Sequence, residues 1–148
     1  RGGKVYSVTI PMILAPLFVQ VLLTFALLLG MMFTRGRSLV TGATRFEDIA
    51  MREPNWPKRP TQFAYAFNNQ FELPVLFYVL TILVMVTRHA DLVFVLMAWV
   101  FVVLRFFQAL VHVTSNNVRH RGALFGLGAM VLLAMWAVFI VRILSGLP

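Results

Sequence analysis

The sequence predicts an all-α integral membrane protein, built as a bundle of four transmembrane helices. Of its 148 residues, 60% are hydrophobic and only 12% are charged, whereas a soluble domain carries roughly a quarter charged residues. The apolar residues fall in four stretches, each near the roughly 20 residues that a helix needs to cross a bilayer. One small core cannot hide that much apolar surface, so lipid must form part of the protein's surroundings.

The four spans follow from the alternation of apolar and polar stretches. Within a single domain covering residues 1–148, we expect them at about residues 8–33, 62–87, 92–113 and 122–144. Between the first two, the long polar segment 34–61 is predicted to be a loop, because Pro54, Pro57 and Pro60 argue against a continuous helix there. Residues 88–91 predict a tight hairpin turn, and residues 114–121 a short polar loop.

Basic side chains are concentrated on one side of the predicted bundle. The net charge is +8. The loops on one side carry Arg35, Arg37, Arg45, Arg52, Lys58, Arg59, Arg119 and Arg121. The other side carries Arg1, Lys4, Arg88 and Arg142. Because cytoplasmic loops are rich in Lys and Arg, we expect loop 34–61 in the cytoplasm and both termini on the opposite side of a bacterial inner membrane or an ER-type membrane.

Several classes of function are disfavoured by composition. The basic charge fits anionic lipid headgroups better than nucleic acid, since no nucleic-acid motif is present. The chain has no cysteine, which removes disulfides, zinc–thiolate sites and a cysteine nucleophile. Thiol chemistry would therefore need a thiol supplied by a ligand. No metal site is expected either, because carboxylate-rich clusters and paired-histidine motifs are lacking.

Polar residues interrupt the second and third spans, where contact with lipid would make them costly. In the second span, Tyr65, Asn69, Glu72 and Leu76 recur at helical spacing, so we expect them to share one face. The third span carries a similar face, formed at spacings of three and four residues by Arg105, Gln108 and His112.

The hairpin between these spans allows depths to be compared. Glu72 lies 16 residues before Arg88, and Arg105 lies 14 residues after Asp91. At ~1.5 Å rise per residue these depths agree within a few ångströms. We therefore expect a buried ion pair between Glu72 and Arg105, because either charge alone in the membrane is costly.

A purely structural role for these residues is an equally simple interpretation. The ion pair would then only hold two helices in register. Asn69 and Gln108 would be interhelical hydrogen-bonding residues, a common use of amides in membranes. His112, near the cytoplasmic end, would be a polar residue of the interface.

The start of the fourth span is a further candidate site. Arg119, His120 and Arg121 precede Gly122, the first residue of the predicted helix. Helix N-termini attract anions through unpaired N–H groups and the helix dipole, so arginines there suggest an anion site. Alternatively, these residues only mark the cytoplasmic boundary of the membrane.

Taken in order, these residues resemble the MAPEG family, the membrane-associated proteins of eicosanoid and glutathione metabolism. The second helix of that family carries Arg-Ala-x-x-Asn-x-x-Glu, and the matching positions here are Ala66, Asn69 and Glu72. The third helix of its glutathione-using members carries Arg-x-x-His-x-x-x-Tyr, which is read here as Arg105, Gln108 and His112. The arginine that opens the fourth helix falls at Arg121, with Arg119 as a weaker match.

The resemblance implies a homotrimer that binds glutathione, as a co-substrate, between adjacent subunits. Arg121 would be the catalytic residue that stabilises the thiolate. The implied glutathione-binding residues are Asn69, Glu72, Arg105, Gln108, His112 and Arg119. The chain departs from the family pattern at Tyr65, which replaces an arginine, at Gln108 and His112, which replace histidine and tyrosine, and at Gly122 and Phe125, which replace serine and tyrosine.

Two functions follow as alternatives. The first is a membrane-bound glutathione-dependent transferase or peroxidase that acts on lipophilic electrophiles delivered by the bilayer. The second is a non-catalytic MAPEG-like scaffold or accessory subunit that packs against membrane lipids or other membrane subunits. A channel is less consistent with the sequence, because the charges gather toward one side and do not line a full-length path.

Overall fold

The computed structural model describes residues 7–52 and 54–146, and within those ranges it contains helices and turns but no strand. Four helical segments are long and apolar enough to cross a bilayer: Ile10–Val40, Lys58–Val86, Leu92–Val113 and Val118–Ser145. The prediction of an all-α membrane protein with four spanning segments is therefore confirmed. Arg1 and Lys4, which enter the predicted charge asymmetry, lie outside the described residues.

The first helix, α1, runs over Ile10–Val40 and is longer than the predicted span. Its apolar part ends near Phe33, but the backbone hydrogen bonds continue through the basic residues that follow. The hydroxyl of Thr41 donates to the carbonyl of Arg37 at 2.9 Å, and the cation of Arg37 lies in the last turn, where the helix dipole favours it. Placing Arg35 and Arg37 in a loop was wrong, and the connecting segment shortens to residues 41–57, with a 3₁₀ turn at Glu47–Ile49.

The second span consists of two helices rather than one. Helix α2 runs over Lys58–Asn68, a 3₁₀ turn over Asn69–Phe71, and helix α3 over Leu73–Val86. Pro60 lies in the first turn of α2, where the missing N–H has no helical partner to lose, so the helix starts earlier than predicted. The break falls before Pro74, whose missing N–H prevents an unbroken helical ladder. The prediction of one continuous helix over residues 62–87 was wrong.

Helix α4 spans Leu92–Val113, as predicted, and helix α5 spans Val118–Ser145. Asp91 begins α4, because its carboxylate accepts a hydrogen bond from the backbone N–H of Phe94 at 2.8 Å. The same carboxylate pairs with Arg142 of α5 at 2.6 Å, the one ion pair between described residues. The hairpin after α3 and the C-terminal end of α5 are thus joined at one end of the bundle.

Packing between the helices creates two buried clusters. The larger joins α1, α3, α4 and α5, and within it the rings of Phe77 and Phe101 stack with centroids 4.9 Å apart. The smaller joins α1, α2 and α4 through Leu27, Ala66 and Ala109. The latter brings α2 against α4 at the end of the bundle where the basic loops lie. There the guanidinium of Arg59 also donates a hydrogen bond to the carbonyl of Val113.

Candidate functional site

A polar cavity of about 540 Å³ lies where α2, α4 and α5 meet, at the end of the bundle that carries the basic loops. It lies beside the break in the second span, at the C-terminal end of α4 and at the first turns of α5. Five of the residues singled out in the sequence contribute to its wall: Asn69, Glu72, Gln108, His112 and Arg121. Residues from three helices that are distant in sequence therefore surround one space.

The two other predicted residues are not part of this wall. Arg105 is 1% exposed and lies behind the cavity, where its guanidinium donates to the side-chain oxygen of Gln108. Arg119 is exposed in the first turn of α5 and does not line the cavity. The wall also includes Tyr65 and Gly122, two positions at which the chain departs from the MAPEG pattern.

The predicted ion pair between Glu72 and Arg105 is absent, since no side-chain oxygen of Glu72 lies within 4.0 Å of the guanidinium. Arg105 instead donates to the backbone carbonyl of Asn69 at 2.8 Å. The depth comparison was sound, because Arg105 reaches the level of residues 69–72. The partner was wrong because the helix break leaves the Asn69 carbonyl with only a long hydrogen bond of 3.5 Å from the N–H of Glu72, so that it can also accept from Arg105. The Glu72 side chain is exposed at the cavity wall.

A buried contact from α1 supports the break on its other side. The amide of Gln20, fully buried, donates to the side-chain oxygen of Gln70 at 2.8 Å. Gln70 in turn donates to the carbonyl of Ala66 at 2.9 Å. Sequence reasoning did not single out Gln20, although one polar residue inside an otherwise apolar span is the signal that would have found it.

The beginning of α5 differs from the prediction in a way that matters for anion binding. Arg121 is the fourth residue of the helix rather than the residue before it. The side chain of Asn117 accepts hydrogen bonds from the N–H groups of Arg119 and His120, at 3.0 and 3.3 Å. Those N–H groups are thus already paired, and the expectation that they would face a ligand was wrong.

Arg121 nevertheless presents a cation to the cavity. Its guanidinium is partly buried and donates to the side-chain oxygen of Asn116 at 2.6 Å. Asn116 adopts a left-handed conformation with φ of 51°, which asparagine tolerates better than most residues. The short loop thereby fixes the guanidinium beside the cavity. With Glu72 across the space, the wall presents one cation, one anion and several amide groups.

Comparison with known protein families identifies the family to which this four-helix architecture belongs. The model of the MAPEG family matches residues 13–141, nearly the whole chain. The chain belongs to the MAPEG family. No curated protein and no solved structure is significantly similar to it. The matched range includes all the cavity residues named above, so the polar cavity of this MAPEG protein lies within the part of the chain that the family model matches.

Proposed function

We propose that this MAPEG protein is a membrane-bound glutathione-dependent transferase or peroxidase that acts on lipophilic electrophiles. The observation that supports it is the gathering of Asn69, Glu72, Gln108, His112 and Arg121 around one cavity of about 540 Å³. That volume falls in the usual range of small-molecule sites. The cavity lies at the predicted cytoplasmic side, where a water-soluble thiol is accessible, while the helices around it contact lipid.

The charges of the cavity complement a zwitterionic peptide. Glutathione carries an ammonium group, two carboxylates, two amides and a thiol. In this proposal the exposed carboxylate of Glu72 binds the ammonium group, and the amides of Asn69 and Gln108 bind the peptide. Arg105 is a positioning residue, because it holds the Asn69 carbonyl and the Gln108 side chain from behind the cavity. Arg119 is left out of the proposed set.

The chemical step depends on Arg121. A free thiol has a pKa near ~8.5, and a neighbouring cation raises the fraction of thiolate, the reactive nucleophile. The guanidinium of Arg121, held by Asn116, favours that charge. The thiolate then attacks an apolar electrophile that reaches the cavity from the bilayer. We further propose a homotrimer, in which a neighbouring subunit covers the polar groups that one chain leaves open.

The direct test is calorimetric titration of the purified protein with glutathione, followed by turnover of a model electrophile. Saturable binding together with turnover is the expected result. Ophthalmic acid, which has a methyl group in place of the thiol, is the control ligand. It should bind with a Kd similar to that of glutathione and give no thiolate absorbance. Absence of glutathione binding would contradict the proposal.

The scaffold function is the second candidate, and the internal hydrogen bonds of the cavity favour it. Arg121 is bonded to Asn116, and Gln108 to Arg105, so both side chains have partners without any ligand. Gly122 also provides no hydroxyl at the wall. Under this alternative, the purified protein shows neither thiolate absorbance nor turnover, and it is recovered from membranes with partner subunits.

A further inference from the structure

His112 is the one residue of the cavity wall whose side chain ordinarily exchanges a proton near neutral pH. The other ionisable side chains of the wall are Tyr65, Glu72 and Arg121. Phenols and guanidinium groups ordinarily keep their protons at pH 7, and carboxylates ordinarily lose theirs near pH ~4. The cavity thus contains one group suited to accept a proton from a thiol and to return it later.

The surroundings of His112 provide no hydrogen-bond partner for one nitrogen of its imidazole. The residue is 5% exposed, and its Nδ1 is buried without a hydrogen-bond partner among the described residues. Buried polar atoms are usually paired, and no partner here fixes which nitrogen carries the hydrogen. The ring also forms part of the wall of a cavity that presents the cation of Arg121.

The charged and titratable groups near the ring lie on α2, at the helix break, on α4 and on α5. Arg121 of α5 and Arg105 of α4 both lie close enough to act on it electrostatically, and these like charges disfavour the imidazolium. The ring therefore accepts a proton only when the thiolate lies beside it and offsets that repulsion. Glu72, at the helix break, and Tyr65 of α2 line the same cavity. Arg105 lies behind the cavity, whereas Arg121 lines its wall while donating to Asn116, so Arg121 is the cation placed to hold an anion beside the imidazole.

We propose that His112 is the general base of this site: Nε2 of its neutral imidazole accepts the proton of the bound thiol, and Arg121 stabilises the thiolate. The proposal rests on the proposed function. With a conjugated enone as the electrophile, the S–H bond breaks and the proton moves to the imidazole. A new S–C bond then forms while the C=C π bond breaks. The imidazolium returns the proton to the carbon next to the carbonyl, which restores neutral His112 and completes the thioether without oxidant or reductant.

Proton release on glutathione binding distinguishes this base from activation by Arg121 alone. If His112 keeps the proton, the ultraviolet absorbance of thiolate should appear at pH 7 with almost no proton released to a weakly buffered indicator dye. If the arginine alone ionises the thiol, about one proton should appear in solution for each thiolate formed. The measurement uses the purified full-length protein in detergent and glutathione as the ligand.

Two histidine variants separate a chemical role from a structural one. His112→Gln should lower kcat/KM at pH 7 by about 100-fold, the scale of general-base catalysis, with little change in the Kd of glutathione. The deficit should shrink as the pH rises, because more of the bound thiol then ionises without help. His120→Gln is the matched control, since His120 is exposed and lies outside the cavity wall.

The possible outcomes separate this inference from the function on which it rests. No binding of glutathione by the unmodified protein overturns both. Thiolate formation with about one released proton, or an unchanged pH profile in His112→Gln, overturns the base while leaving the transferase intact. Retained protons in the unmodified protein, together with a pH-dependent loss confined to His112→Gln, support His112 as a catalytic residue.

Discussion

At the scale of single residues, Arg121 decides between catalysis and scaffolding. Arg121→Ala removes the cation beside the cavity, while Asn69, Glu72 and Gln108 remain. We expect the thiolate absorbance of bound glutathione and the conjugation rate to fall, and the affinity for glutathione to fall less. A rise of about one unit in the pKa of the bound thiol would correspond to a loss of roughly 1.4 kcal/mol in the stabilisation of the thiolate.

The neighbouring arginine provides the comparison for that experiment. Arg119 lies two positions away, is exposed and is absent from the cavity wall. Arg119→Ala should therefore leave thiolate absorbance and turnover close to those of the unmodified protein. Equal losses in the two variants would mean that general positive charge near the membrane surface, and not the Arg121 guanidinium, is responsible.

Arg105 has a different role, which stability measurements reveal. Arg105→Leu leaves the side-chain oxygen of Gln108 without its donor, and it leaves the carbonyl of Asn69 with only the 3.5 Å hydrogen bond from the N–H of Glu72. An unsatisfied buried polar group costs roughly 1–3 kcal/mol, so the unfolding temperature in detergent should drop. Arg45→Leu, in the exposed connecting segment, is the charge-matched control. If both variants unfold at the same temperature, Arg105 does not support the break as described.

At the scale of elements, the break in the second span should depend on the contact between Gln20 and Gln70. Each single change to leucine deprives the remaining glutamine of the hydrogen bond between the two side chains, whereas the double change removes both glutamines. The two losses of unfolding free energy measured in the single variants should therefore sum to more than the loss measured in the double variant. Coupling energies of polar pairs in membranes average about 0.6 kcal/mol and reach about 1.7 kcal/mol. Thermal unfolding of the four proteins in one detergent gives that energy, and a value of zero would contradict the role assigned to the pair.

Helix boundaries show what the sequence predicts well and what it does not. The four spans were predictable because lipid demands apolar length, and α4 was placed to the residue. The end of α1 was not, because hydropathy reports where lipid ends whereas a helix ends where its backbone hydrogen bonds do. The start of α2 was missed for a related reason, since Pro57 and Pro60 were taken as helix breakers although proline suits a first turn.

The placement of polar residues around one space was more predictable than their contacts. Spacing and depth singled out Asn69, Glu72, Gln108 and His112, and these line one cavity, while their roles in binding stay predictions. The partner of Arg105 could not be predicted, because the carbonyl that it binds is available only where the helix breaks. Side-chain type identifies polar groups in a membrane segment, but it does not reveal which backbone groups lose their helical partners.

At the scale of the whole molecule, orientation in the membrane remains a prediction that cysteine labelling can test. The chain has no cysteine, so single substitutions give unambiguous signals. Ser115 lies in the exposed turn between α4 and α5, and Ser145 in the exposed last turn of α5. We expect Ser115→Cys to react with an impermeant maleimide from the cytoplasmic side, and Ser145→Cys from the opposite side, because basic loops stay in the cytoplasm. The reverse pattern would overturn the assignment.

The pairing of Asp91 with Arg142 has a consequence for how the chain is made. The two residues are 51 positions apart, and the arginine lies near the end of the last helix. During translation, Asp91 is therefore added to the chain before its partner, and until the partner is in place it can serve α4 only as an N-cap. The pair forms after the fourth helix has been inserted by the translocon. The ion pair is thus present in the fully synthesised bundle and absent from the nascent one. It lies at the end of the bundle opposite the cavity.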